Sequence, residues 1–441
     1  MTLVQPQPID HYKRQQLVFT ILGAVIAGSL VFWPLITSWF SIALFGYWLV
    51  AATKDFSAGN HKRSFIILFA SLYVLAIIGT LYSANMDEAL FKLQQKSAIA
   101  MFPLVFGTAV AVNAAVCHRI FLAFAWCTLA GCLICLGNGL IYFFQSGSAE
   151  MLHGYPMVIL KDMSPFMLGL YCLLSILYLL GAVYKGTFKR GRERSLYIAV
   201  LLTLSLFLFL LGNRNVLFSW MVVAVFFLLA NIVGRKLRIL FFGLLLAALA
   251  GAAVFNPSFH RQLNDLTDFS ANNTIQLDSD KSLGRGWGGK ALRFAIWNCS
   301  MDIVREHPLT GVGTGDVQDS LQAAYDRRQF YFASRYNTYN AHNQFIQETL
   351  SYGIAGFMVF SACLLIPLFA YFRSLRGSGA ASGRQLYCLF LVSFFIICIT
   401  ESILEISKGI VFYSFFNSIF AFVLTQPTTK SSTDLYGTKA S

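Results

Sequence analysis

Charge is scarce in this chain. Asp, Glu, Lys and Arg together make up 12% of its 441 residues, about half the share of a soluble domain. Apolar residues make up 57% and come in blocks of the ~20 residues that a helix needs to cross a bilayer. Short alternating segments, the mark of a membrane β-barrel, are lacking. So is a disulfide framework: of nine cysteines only Cys299 falls in a loop on the acid-richer side of the membrane, where it has no partner. Cys132 and Cys135 lie inside an apolar block and read as packing residues. No histidine pair has metal-ligand spacing. The glycine-rich "HPLTGVGTGD" (His307–Asp316) lacks the Lys-Ser/Thr of a P-loop and the strand of a Rossmann turn, and reads as a tight loop packing under the next helix. No tandem repeat is visible. The first apolar block has no small-residue cleavage site and reads as a retained span.

What is present is a polytopic all-α membrane protein of about twelve spans. They centre on 17–36, 40–52, 65–82, 97–112, 120–144, 165–183, 196–211, 216–233, 237–254, 345–372, 386–400 and 410–424. Lys and Arg set the orientation. With the N-terminus in the cytoplasm, most of the 33 Lys and Arg fall in loops on that side, facing only Asp10, Asp55, Glu193 and Asp434. The opposite side holds slightly more acids than bases. The net charge of +13 therefore reports membrane orientation and requires no nucleic acid. Both termini are expected in the cytoplasm. The chain divides into 1–254 (spans one to nine), 255–342 (a large outer loop, expected to form a helical cap) and 343–441 (spans ten to twelve and a cytoplasmic tail). Within the loop, "KALRFAIWNCSMDIVREHP" carries Leu292, Ile296, Cys299 and Ile303 at helical spacing, and "GDVQDSLQAAYDRRQFYF" reads as a second amphipathic helix.

Polar groups beside the outer ends of spans mark the candidate chemistry, because ionisable residues there are costly without a partner or a task. "GNRN" holds Arg214 in a tight turn between spans seven and eight. A snorkelling Arg would satisfy this position, but Arg disfavours the outer side, and its planar fork suits phosphate. Arg293 lies one helical turn before Trp297 and is the preferred second phosphate ligand; Arg285 in "SLGRGWGG" is a third candidate. His342 precedes the tenth span, flanked by Asn340 and Asn343. It serves either as a hydrogen-bonding residue at a helix start or as a general base for a hydroxyl. Glu401 and Glu405 in "ITESILEISKG" are four apart and expected to share one helical face, to orient His342, pair an arginine or bind a sugar. Lys92 and Lys96 share a face of an outer amphipathic segment. The pair Asp278–Asp280 matches a glycosyltransferase-type Asp-x-Asp pattern only formally, and no metal is expected. Aromatics in the loop (Trp287, Trp297, Tyr325, Tyr331, Tyr336, Tyr339) suit sugar rings. A base, acids and arginines at one membrane face suggest sugar transfer from a lipid diphosphate. A transporter for an anionic lipid, or a non-catalytic assembly subunit, are the other classes. A transporter places polar groups nearer the midplane.

"HPLTGVGTGD", "RFAIW" and "NAHNQFIQETLSYGIAGF", following a large outer loop and the short "GNRN" turn, resemble the O-antigen ligase/O-antigen polymerase superfamily. The resemblance implies a fold of the GT-C type and an inverting, metal-independent transferase without a cofactor, in a bacterial inner membrane with its site facing the periplasm. It would move an O-antigen glycan from undecaprenyl diphosphate to a hydroxyl of lipid A–core, with membrane lipids around it. Polymerases and protein O-oligosaccharyltransferases of the superfamily remain alternatives. Residue by residue, His342 matches the superfamily's histidine, Arg214 the arginine of the short turn, and Arg293 the arginine before the loop tryptophan. Glu401 matches the late acidic position loosely, with Glu405 the alternative.

Overall fold

The computed structural model describes residues 9–56, 59–188, 191–231, 243, 289–335, 338–374 and 382–426. Among them the chain is helical and without named strands: α1 (Ile9–Phe32), α2 (Pro34–Val50), α3 (Asn60–Leu81), α4 (Met86–Lys96), α5 (Ala98–Thr108), α6 (Ala114–Ser146), α7 (Gly154–Met157), α8 (Pro165–Tyr184), α9 (Arg192–Leu211), α10 (Arg214–Asn231), α11 (Gly289–Glu306), α12 (Val317–Arg327), α13 (Tyr331–Ser334), α14 (Gln344–Ser374), α15 (Gly383–Cys398) and α16 (Ser407–Ile419). Eight helices among the described residues are long and apolar enough to cross a membrane, and α2 and α15 are shorter apolar helices. This is an all-α polytopic membrane protein. The expected ninth span, 237–254, lies outside the described residues.

The fourth span, expected over 97–112, is an eleven-residue helix containing Pro103. At ~1.5 Å per residue it covers only about half of a bilayer core. The amphipathic α4 precedes it, with Lys96 buried at its end.

α8 and the α16 segment through Leu424 form the centre. In these two, 89% and 83% of the most apolar stretch is buried, against 28–50% in the other six candidate spans. Helices in lipid gain little from hydrophobicity alone and associate through close van der Waals packing. Aromatic rings supply much of it here: Phe121 stacks on Tyr178 at 4.2 Å, and Phe124 meets Phe416 at 4.7 Å.

Contacts sort the helix ends onto two faces, in the alternation the basic residues require. On one face Gln15 Nε2 donates to Ala51 O and lies 3.0 Å from Thr53 Oγ1. Lys54 pairs with Ala109 in an antiparallel bridge. Tyr371 Oη lies 3.2 Å from His61 Nε2 and 3.2 Å from Thr425 Oγ1. On the opposite face Tyr82 Oη donates to Thr310 O, Asp316 accepts from the backbone of Ala84 and Asn85, and Lys408 Nζ donates to Lys161 O.

Above that second face α11, α12 and the following residues share a separate apolar core. Ile296, Cys299 and Ile303 pack on Val317, Leu321, Tyr325 and Phe330. The "HPLTGVGTGD" loop joins this core to the membrane helices by a route the linear reading missed. α14 is not one straight helix but kinks at Tyr352 (φ −133°) and Gly353 (φ +62°). The kink frees carbonyls that need donors, and the loop supplies them: Val312 N to Leu350 O at 2.8 Å and Gly313 N to Ser351 O at 3.0 Å. Gly311 (φ +65°) lies so close that a Cβ there would sit 2.5 Å from Leu350 O.

Candidate active site

The "GNRN" turn builds the first wall. Gly212 ends α9 in the left-handed conformation (φ +63°), and the Asn213 side chain caps α10 by accepting from the backbone of Asn215 and Val216. Arg214 is thereby the first residue of α10, at the helix end whose dipole favours an anion. The second wall comes from α11. A Cβ built on Gly289 would lie 3.3 Å from Arg214 Nη2 and 3.4 Å from Arg293 Nη1, so the two guanidinium groups converge on this glycine. Arg293 donates Nε to Thr400 O (3.0 Å), Nη1 to Gly289 O (3.2 Å) and Nη2 to Glu401 Oε1 (2.5 Å). Of its five N–H donors, two remain for a ligand.

His342 forms the third wall. It has a left-handed backbone (φ +43°), a conformation that costs on the order of 1 kcal/mol or more and persists only where neighbours enforce it. Asn340 Oδ1 accepts from His342 N, Trp297 Nε1 donates to Ala341 O, and Ala341 N donates to Gln347 Oε1. Asn343 caps α14 by accepting from Ile346 N, and its own N–H donates to Ser402 Oγ. The imidazole Nδ1 lies 3.2 Å from Glu401 Oε2. An ionised carboxylate only accepts, so Nδ1 carries the hydrogen of this contact, which in the neutral imidazole makes Nε2 the acceptor.

Burial by itself would push the Glu401 carboxyl up. The hydrogen bond from His342 and the charge of Arg293 outweigh it and hold the carboxyl below its ordinary value. These groups line one cavity of about 360 Å³, together with Tyr155, Phe166, Asn215 and Ile406. Burial raises the Tyr155 phenol, Glu401 adds to the rise and Arg293 opposes it, which keeps Tyr155 a neutral donor.

Arg214, Arg293, His342 and Glu401, singled out from sequence, thus meet in one cavity; Asn343 does not line it but bonds to Ser402, which does. Glu405 does not join them, which corrects the expectation that it shares a helical face with Glu401. α15 ends at Cys398, and the chain continues as a strap through a short 3-10 turn (Ile403–Glu405). The regular four-residue stacking is lost there, and Glu405 turns to Lys92 and Lys96. Arg285, Trp287, Tyr336 and the Asp278–Asp280 pair lie outside the described residues.

The loop aromatics are mostly engaged elsewhere. Tyr325 is in the cap core, Tyr331 stacks on Arg335 at 4.1 Å, and Trp297 holds Ala341. Tyr339 lies 5.6 Å from the His342 ring. Tyr155 and Ser402 escaped the sequence reading. Ser402 adjoins Glu401 and was within reach of it; nothing in the sequence distinguishes Tyr155 from its neighbours. Among the described residues no group of three or more His, Cys, Asp and Glu could hold a metal ion.

An acid, a histidine and two arginines thus line one cavity of a helical membrane protein. A family model described as O-antigen ligase matches residues 199–361. That stretch carries Arg214, Arg293 and His342 and stops short of Glu401. No curated protein matches. The match covers less than half of the chain, and over that segment the chain is similar to the O-antigen ligase family.

Proposed function

We propose that the protein is a lipopolysaccharide O-antigen ligase: an inverting, metal-independent glycosyltransferase of the bacterial inner membrane. In this reading both termini are cytoplasmic and the cavity faces the periplasm. The donor is O-antigen on undecaprenyl diphosphate, and the acceptor is a hydroxyl of lipid A–core. The observation that carries the proposal is the convergence of Arg214, Arg293 and the His342–Glu401 pair in one cavity.

The roles follow from the chemistry. The diphosphate lies against Arg214, at the positive end of the α10 dipole, and the two remaining donors of Arg293. These stabilise the negative charge that grows on the leaving oxygen. His342 Nε2 takes the proton of the acceptor hydroxyl as its oxygen attacks the anomeric carbon. One C–O bond forms to the acceptor while the C–O bond to the diphosphate breaks, so a single displacement inverts the centre. Glu401 keeps Nδ1 protonated and stabilises the imidazolium that results. Undecaprenyl diphosphate departs, and His342 returns its proton to solvent. Holding two large lipids in register is an orientation effect that this cavity and the cap above it would share.

The test is transfer by purified protein given lipid-diphosphate-linked glycan and lipid A–core. Glycan appears on lipid A–core with the wild type. The His342→Ala and Arg214→Ala variants, inserted and monodisperse, give none. A longer lipid-linked glycan instead would make the protein a polymerase. Movement of intact lipid-linked glycan across a vesicle, without transfer, would make it a transporter. Wild-type transfer by folded His342→Ala would remove the base from the mechanism.

A further inference from the structure

Lys92, Lys96, Glu405, Glu348 and Tyr352 form a second cluster of charge, buried beside the proposed site but not lining it. Lys92 Nζ donates to Glu405 Oε2 at 2.8 Å. Lys96 Nζ lies 3.3 Å from Glu405 Oε1, an ion pair without good hydrogen-bond alignment, and 3.9 Å from Glu348 Oε1. It also lies 3.5 Å from Tyr352 Oη, at the kink of α14. Lys96 is 4% exposed and Glu348 3%. Desolvating so many charges is costly, and replacing them all by apolar side chains is often neutral or stabilising. The cluster therefore calls for an explanation other than stability.

Its connections supply one. The strap 399–406 carries both Glu401 and Glu405. At Glu405 it is held by two lysines of α4. One residue earlier, Leu404 N donates 2.8 Å to Gln344 Oε1, while Gln344 Nε2 donates 2.8 Å to Glu348 Oε1. At its other end Glu401 binds Arg293 and His342. The helical ladder of α15 ends at the bond from Glu401 N to Ile397 O (3.0 Å), and beyond it only the bonds from Glu405 N to Ser402 O and from Ile406 N to Ile403 O continue. Side chains of α4 and α14 supply the further anchors at Leu404 and Glu405. Burial raises the Glu405 carboxyl, but Lys96 and Lys92 outweigh that and keep it below the ordinary value, so the anchor is ionic.

We infer that Lys96, acting with Glu405 and Glu348, is a positioning residue: it latches the strap to α4 and α14 so that Glu401 meets both His342 and Arg293. This rests on the function proposed above for Glu401 and His342. The side chain of Lys96 does not reach the cavity and touches no substrate. In Lys96→Met two carboxylates, Glu348 and Glu405, face a single lysine. Their repulsion then pushes the strap away from α14. In Lys96→Met/Glu348→Gln the Lys92–Glu405 pair is balanced again, and Gln344 keeps an amide partner.

Two readouts test this: kcat and KM per folded protein, and the rate at which diethyl pyrocarbonate labels His342, followed by peptide mass spectrometry. Lys96→Met is expected to lower kcat about tenfold while donor KM stays within about twofold. Its His342 labelling rate should move toward that of Glu401→Gln. The double variant is expected to recover most of both, because the two positions are coupled and not additive. A purely structural lysine would lower the yield of folded protein without moving either readout.

Should Lys96→Met fail to fold, Lys92→Met weakens the same anchor from its more exposed side and shifts both readouts the same way. Wild-type kcat and wild-type labelling in the folded single variant would overturn the latch, as would a double variant no better than the single. A shift in labelling in a protein whose wild type transfers no glycan would leave the latch standing and overturn the function.

Discussion

Replacing Glu401 by Gln keeps the size of the side chain and removes its charge. Two contacts change together, because one carboxylate oxygen takes Arg293 Nη2 and the other faces His342 Nδ1. All three side chains are largely shielded, at 18%, 19% and 25% exposed. A hydrogen bond to a charged group is worth ~1.5–3 kcal/mol net. At the low end of that range two such bonds amount to about 3 kcal/mol, or about a hundredfold in rate at 1.36 kcal/mol per decade. The Gln amide also presents a donor to either Arg293 or His342 Nδ1–H, so one of them is left without an acceptor. The loss should therefore fall on kcat, with donor KM changing little, since Arg214 and the α10 terminus still hold the diphosphate. The assay is steady-state glycan transfer to lipid A–core by detergent-purified protein, normalised to the monodisperse fraction. An E401Q rate within about threefold of wild type would refute the reasoning, because it would mean that neither bond strengthens on the way to the transition state.

pH supplies an independent check of the same group. The folded Glu401 lies below its ordinary value of 4.5, so its contribution is complete above that value and fades only as pH falls through the depressed one. Activity lost between neutrality and pH 4.5 must then come from another group, and E401Q should leave that part of the profile in place. Arg293→Lys should cost about as much as E401Q, on the order of a hundredfold, because one ammonium cannot serve Thr400 O, Gly289 O and Glu401 in the directions of a planar fork; near-wild-type transfer by R293K would count against the fork. Gly311→Ala should lower the thermal midpoint and raise protease sensitivity of the cap, since it adds a Cβ 2.5 Å from Leu350 O at a positive φ, at a backbone cost of ~1–3 kcal/mol before the clash is counted. Thorough chelation should leave transfer unchanged; loss restored by Mn²⁺ or Mg²⁺ would point to Asp278 and Asp280 as a metal site.

Much of the site was legible because each signal was local. An arginine in a two-asparagine turn, an arginine one turn before a tryptophan, and a histidine just ahead of an apolar run can each be recognised within a few residues. Which acid completes the set was not legible. Glu401 and Glu405 look equivalent four apart in sequence, and they separate because α15 stops at Cys398 and the strap after it follows its anchors. Tyr155 was invisible for a related reason. It reaches the cavity on a short helix in a loop far from every other member of the site, and no pattern in its own neighbourhood records that.

The sequence by itself determined the membrane class, most of the spans and the alternation of the two faces. Crossing a bilayer demands a continuous apolar stretch, and basic residues sort to one side, so both constraints are written along the chain within ~20 residues. Only the tertiary structure decided that the helix in the fourth apolar block is eleven residues long, that α14 kinks to receive the glycine-rich loop, and that Glu401 and Glu405 serve different partners. Those outcomes depend on groups far apart in the chain: Lys92 and Glu405 are 313 residues apart, and Arg293 and Glu401 are 108 apart. Their pairing follows from which helix ends arrive at the same face together, and no local periodicity encodes that arrival.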